Sequence, residues 1–363
     1  MKRRKLVASL IAAVVAVTAA EADFRYPYDV RTSPPQGWTT GLKQVLLIRA
    51  DFSDLSSTLG LAATVSGMEK VRQKYVAMSY GLTDMNVTVS PVYILPNTAS
   101  YYAKAGWEVL ANAMVAAASA DYPLDADGGV YDRIGFQYPP PPKAAGNILS
   151  GGIAMCGNKW FWIPGGGGGS TIFQVIHAEH EIGHTYGSGH DGYWRVTDGD
   201  PISPYGKAHE TGNPYTIMGG GGPIKGDFTA KAKEQFGWAQ SQLVITSGTY
   251  RLYRIDHPQT VGTPKGLKVP IPGEAPGVYY WLEMRRNFTT NSYEQNGLNI
   301  LKAYDEFRIG TCLLDLNTPG SSLADAALQL PQTFSDGKGV TIRATDKGGV
   351  APEEWMEVEI TVP

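Results

Sequence analysis

One stretch constrains this chain more than any other: residues 176–191, IHAEHEIGHTYGSGHD, which carry four of its six histidines. On an α-helix, residues four apart lie one above the other on the same face. His180 and His184 can therefore aim two imidazoles at one ion, with Glu181 about 100° further round the helix. Gly187 follows three residues after His184. A glycine there can take a positive φ, stop the helix sharply and let the chain double back. That reversal would bring His190 to the same ion as a third ligand. Three protein ligands with a fourth position left to water is the usual arrangement of a catalytic zinc. His177 is the rival ligand, but it stands about 10.5 Å of helix rise from His184, whereas two nitrogens on one zinc lie within ~4 Å. It reads as a packing residue or a support to the ligands. Asp191 reads equally as a support for a ligand imidazole and as a turn residue. His209 and His257 read as ordinary loop histidines.

The rest of the chain supplies a frame for that helix. Residues 43–52 (KQVLLIRADF) have the pattern of a buried strand. Met68, Val71, Tyr75 and Met78 recur at helical spacing over 68–80, and Gly81 ends the helix. A strand over 87–95, an alanine-rich helix over 101–120 and a strand over 131–136 follow. Four prolines at 139–142 make a stiff spacer. Five glycines at 165–169 give a freely turning approach to the histidine helix, with Ser170 as its expected cap. No lysine follows them in the frame of a phosphate-binding loop. A short helix is expected over 229–236, with Asp227 as a possible cap. From 241 onward the chain changes to short β-prone runs (278–284, 298–301, 311–316, 340–343, 356–362) separated by Gly, Pro, Asn and Asp. The expected class is α+β, with a first domain over 41–240 and an all-β sandwich domain over 241–363.

With these residues in view, the string His180-Glu181-x-x-His184-x-x-Gly187-x-x-His190 resembles the signature of the metzincin clan of zinc endopeptidases. Tyr215-Thr216-Ile217-Met218-Gly219 is similar to that clan's Met-turn, which makes Met218 the candidate Met-turn residue. Within the clan the chain most resembles the gametolysin (autolysin) family of secreted peptidases, through the helix around 68–81, the glycine-rich approach and Lys233-Glu234-Gln235-Phe236-Gly237-Trp238. The resemblance spans roughly residues 43–238. It implies an α/β-sandwich catalytic domain with a twisted mixed sheet crossed by the zinc helix, one catalytic Zn2+, and Glu181 as the general base of peptide hydrolysis. Two departures stand out. Thr185-Tyr186 replaces the family's Asn-Leu before Gly187, and Gly220 occupies the place where some metzincins carry a tyrosine. Tyr215 is the nearby candidate for contact with the transition state.

Other features bound the partners. Lys2, Arg3, Arg4 and Lys5 precede an apolar run over 6–20, and Ala20-Glu21-Ala22 offers a cleavage site, so 1–22 reads as a secretory signal and 23–40 as an extended arm. The run is short for the ~20 residues of a spanning helix. No membrane contact is expected after its removal, and the location is extracellular or periplasmic. A formal net charge of -3 gives no basic field for nucleic acid. A protein or peptide substrate is expected instead, in extracellular or cell-wall material. Two other functions fit the same residues: a non-catalytic secreted zinc-binding adhesion module, and a zinc hydrolase of non-peptide amides. Asp125-Ala126-Asp127-Gly128-Gly129 is a candidate for a structural Ca2+ loop or for an ordinary turn. Cys156 and Cys312 are equally readable as a disulfide or as two buried thiols.

Overall fold

The computed structural model describes residues 34, 37–125, 128–141, 148–219, 226–259, 261–287, 289–306, 308–318 and 322–363. The signal 1–22, most of the arm, Pro142, Ala126, Asp127 and Gly220 lie outside the described residues. Among the described residues the class is mixed α and β, with three sheets. No described helix is long and apolar enough to cross a membrane.

The first sheet holds β1 (Gly41–Asp51), β2 (Thr83–Ile94), β3 (Arg133–Gln137), β4 (Ile153–Ala154) and β5 (Trp160–Trp162), in the order β2-β1-β3-β5-β4. Parallel pairing joins all but β4, which runs antiparallel to β5 at the edge. β1 is buried along nearly its whole length, as a central strand covered on both faces must be. Val45 and Leu47 face α1 (Leu61–Met78). Leu46 and Ile48 face the opposite layer of α2 (Ala99–Ala105) and α3 (Trp107–Ala118). Met68, Val71, Tyr75 and Met78 form the buried face of α1, as their spacing predicts. The single helix expected over 101–120 is two helices, because Gly106 sits between them at φ 97°.

The histidine helix, α4 (Val175–Tyr186), shares the α1 side of the sheet. It starts later than Ser170. The glycine tract is a packed turn rather than a free swivel: Thr58 donates to the Gly166 carbonyl from both its N–H (3.2 Å) and its hydroxyl (2.9 Å). Residues 170–174 then run on to Gln174, the observed cap. α5 (Ala230–Gln235) is capped by Thr229, whose hydroxyl accepts from Ala232 N–H. Asp227 instead forms a fully buried ion pair with Lys233.

The second sheet crosses the boundary expected near 241. Its order is β7-β6-β13-β12-β11-β10-β8, where β6 (Gly192–Arg195) and β7 (Lys207–His209) come from just beyond His190. They join β8 (Ser241–Leu243), β10 (Gly266–Pro270), β11 (Val278–Glu283), β12 (Asn299–Tyr304) and β13 (Cys312–Leu314), with β6 parallel to β13. The third sheet, β14-β15-β16-β9, is built from β9 (Gly248–Tyr253), β14 (Thr333–Ser335), β15 (Thr341–Gly348) and β16 (Trp355–Thr361). Leu267, Leu282 and Ile300 meet Leu252, Ile342 and Val358 in one core, so these two sheets pack face to face as a sandwich, one that takes in β6 and β7 from before residue 241. Trp281, Leu301 and Leu313 face the other way and pack with Ala230 and Tyr215. A short α6 (Ser292–Asn296) completes the elements. Cys156 and Cys312 are separate free thiols.

Candidate metal centre

Local sequence delivers His180 and His184 to one face of α4. The helix end then delivers His190. Gly187 takes φ 109° and ψ 11°, a conformation that favours glycine. Gly187 N–H donates to His184 C=O (2.8 Å) and Ser188 N–H to Gly183 C=O (3.2 Å). This pair of bonds is the Schellman closure of a helix. It turns the chain back, and the next residues carry His190 over the first two histidines.

His184 Nε2 lies 3.1 Å from His180 Nε2 and 3.2 Å from His190 Nε2. All three ligand atoms lie within 4.8 Å of one another, so the cluster can hold a metal ion. The opposite nitrogen of each ring faces an oxygen. His180 Nδ1 donates to Ile217 C=O (2.8 Å), His184 Nδ1 to Ser188 C=O (2.8 Å) and His190 Nδ1 to Glu210 Oε1 (3.1 Å). A carbonyl or carboxylate can only accept, so each ring carries its proton on Nδ1 and turns the Nε2 lone pair inward. Three lone pairs crowded at this range repel one another unless a cation lies among them. Burial, then His180 and His190, push the His184 imidazole down to about 3, which keeps it neutral and fit to ligate.

Glu181 follows His180 and is buried to 7% exposure. Its carboxylate lies against Gly152, where a Cβ would overlap it. Burial alone raises its carboxyl to about 8. A cation beside it would favour the anion and draw the value down. Gly152 leads into β4, whose outer edge carries no strand among the described residues.

Met218 lies in the turn Ile217–Gly219 and is fully buried beneath α4. A Cβ at Gly183 would stand 2.6 Å from Met218 Sδ, so the absence of one lets the turn press against the helix between two ligands. The same turn supplies the Ile217 carbonyl to His180 and the Met218 carbonyl to Asp191 N–H (3.0 Å). Thr185 and Tyr186 also have positions that explain them. Thr185 hydroxyl accepts from Arg133 Nε (2.8 Å), and the Tyr186 ring packs on Tyr75 and Trp238 while its hydroxyl meets Thr83 (2.9 Å).

Of the residues singled out in the sequence, His180, His184, His190, Glu181, Gly187 and Met218 belong to this one assembly. Tyr215 points elsewhere: its hydroxyl donates to Leu323 C=O (2.7 Å) and accepts from Asn291 (2.9 Å) in the core beneath the second sheet. Asp191 braces a turn, accepting from the N–H (3.0 Å) and hydroxyl (2.8 Å) of Thr311. His177 is on the exposed side of α4. Asp125 accepts from Gly129 N–H (2.7 Å) and so closes a turn. Glu210 was not legible in the sequence. It stands twenty residues beyond His190 in a polar loop, and only the β6–β7 hairpin brings it back. No protein-family model matches this chain, and no curated protein matches it.

Proposed function

We propose that this chain is an exported, zinc-dependent endopeptidase of the metzincin kind, acting on extracellular or cell-wall protein. The observation that carries the reading is the convergence of three Nε2 atoms whose Nδ1 protons are all held from behind. Their 3.1 and 3.2 Å separations are close to the roughly 3.3 Å edge of a tetrahedron with Zn–N bonds of about 2.0–2.1 Å. Three imidazoles also suit zinc better than magnesium or calcium, which take oxygen donors.

When bound, zinc supplies Lewis acidity that activates water and polarises the scissile carbonyl. The chain's own residues do the rest. Glu181 accepts a proton from the attacking water and delivers it to the leaving amine. Its burial keeps bulk water from competing for that proton. The edge of β4, which carries no strand among the described residues, runs beside Glu181 and can pair with an extended peptide through backbone hydrogen bonds. That edge favours a peptide over a non-peptide amide.

The test is hydrolysis of casein and of a peptide library by the mature protein, with metal content measured in parallel. Activity should vanish on chelation and return with zinc. Glu181→Gln should keep its zinc and lose nearly all turnover. Cleavage that survives both chelation and Glu181→Gln would refute the reading. A full complement of zinc with no cleavage of any peptide would favour a metal that only braces the fold.

A further inference from the structure

Apart from the metal centre, the sandwich carries a cavity of about 410 Å³ between the second sheet, the loop that joins β6 to β7 and the turn that joins β14 to β15, within the size range of small-molecule sites. One polar group on its wall is the hydroxyl of Tyr280 on β11. That residue is only 2% exposed, lines the cavity and has no hydrogen-bond partner for its hydroxyl among the described residues. Burial, and after it the charges of Asp336, Glu274 and Asp200, keep the phenol protonated. The hydroxyl is thus a donor and an acceptor left without a protein partner.

The walls narrow the ligand class. Asp200, Glu274 and Asp336 can only accept hydrogen bonds, whereas Lys302 and Lys338 can only donate. Lys302 is already neutralised by Glu274 at 2.8 Å. With that pair set aside, Asp200 and Asp336 stand against Lys338, so an anion is repelled and the wall mainly offers acceptors for hydrogen-bond donors. A hydroxyl donates one hydrogen and accepts through two lone pairs, so it serves either kind of wall. Ser203 also lines the cavity, but its hydroxyl is already given to Asp198, and Ile202, Ile271 and the Trp194 ring, which the Lys302 ammonium overlies at 5.2 Å from its centroid, offer a surface for C–H groups. Trp194 is held in place by its Nε1, which donates to Ser203 C=O (3.2 Å).

We propose that this cavity is a binding site for a neutral saccharide, with Tyr280 and Asp336 at its polar end and Trp194 on its apolar wall. None of the cavity's lining residues is one of the three metal-binding histidines, so binding here and metal binding are read out separately.

The experiment is calorimetric titration and saturation-transfer NMR on the full chain. The probes are glucose, galactose, mannose, arabinose, N-acetylglucosamine and their β-linked disaccharides. Glycine, lysine, acetate and N-acetylglycinamide serve as comparators of other charge and shape. At least one saccharide should bind, more tightly than every comparator. Tyr280→Phe keeps the ring and removes only the hydroxyl, and should weaken that binding about tenfold while thermal midpoint and metal content stay unchanged. Trp194→Ala should weaken it as well. The proposal is overturned if no saccharide in the panel binds, if a comparator binds more tightly, or if Tyr280→Phe binds as the wild type does.

Discussion

The three ligand histidines differ in what holds them. Ile217 and Ser188 grip His180 and His184 through backbone carbonyls, which no side-chain change removes, whereas His190 leans on the Glu210 side chain, 85% exposed. Glu210→Ala should therefore lower metal affinity by about 10–100-fold, and Glu210→Gln, which keeps an acceptor, by less. Competition against a chromophoric chelator measures both; equal affinity in all three proteins would mean that His190 is oriented without Glu210. A second residue carries a pH dependence. Glu294 is buried, one of its oxygens has no partner, and burial raises its carboxyl from 4.5 to about 8. The folded state therefore keeps a proton that the unfolded chain releases. Its contribution to stability is complete below 4.5 and lost as the pH rises through about 8. Glu294→Gln should flatten this decline, seen as a thermal midpoint that falls less than the wild type's between about pH 5 and 9.

At the scale of elements, the end of α4 does more than terminate a helix. Gly187 at φ 109° sets the direction in which the chain leaves, and so the position of His190. Gly187→Ala should cost about 1–3 kcal/mol through backbone strain and weaken metal binding at the same time. Denaturant unfolding of the metal-free protein and chelator competition separate the two effects. The helix itself was legible in the sequence because its determinants are local: a four-residue spacing and a glycine stop. Its true start was not, because the contact of the glycine tract with Thr58 lies more than 100 residues away in sequence. The break at Gly106 has a local cause instead: the alanine-rich pattern continues straight through a glycine whose φ of 97° turns the backbone.

At the scale of the molecule, the sandwich is built into the metal centre. β6 leaves His190 and pairs with β13, Asp191 is tied to Thr311, and the buried Arg285 donates to the carbonyls of Tyr215 (3.0 Å), Asp227 (3.3 Å) and Phe228 (3.1 Å) on both sides of the Met218 turn. Arg285 is also paired with the buried Glu283. Removing such a partner leaves a charge buried alone, at a cost of about 3–5 kcal/mol. Arg285→Met should thus destabilise the whole chain by that order in denaturant unfolding. A chain ending at Ala239 should yield no folded metal-binding protein, because it keeps β6 and loses everything β6 pairs with except β7. A soluble, cooperatively unfolding fragment that binds zinc would show the two units to be independent.

What the sequence determined by itself is the set of features decided within a turn or two of backbone. These are the register of His180, Glu181 and His184 on one helix, the reversal at Gly187, the buried faces of α1 and β1, and the β character of the last third. Tertiary structure alone decided the features that depend on chain segments far apart. It assigned β6 and β7 to the second sheet, turned Tyr215 away from the histidines, and supplied Ile217 and Glu210 as proton acceptors behind two of the ligands. The physical reason is one of range. A helix closes its hydrogen bonds four residues away, whereas a four-residue strand such as β6 has no pattern of its own and is defined by a partner more than 100 residues distant.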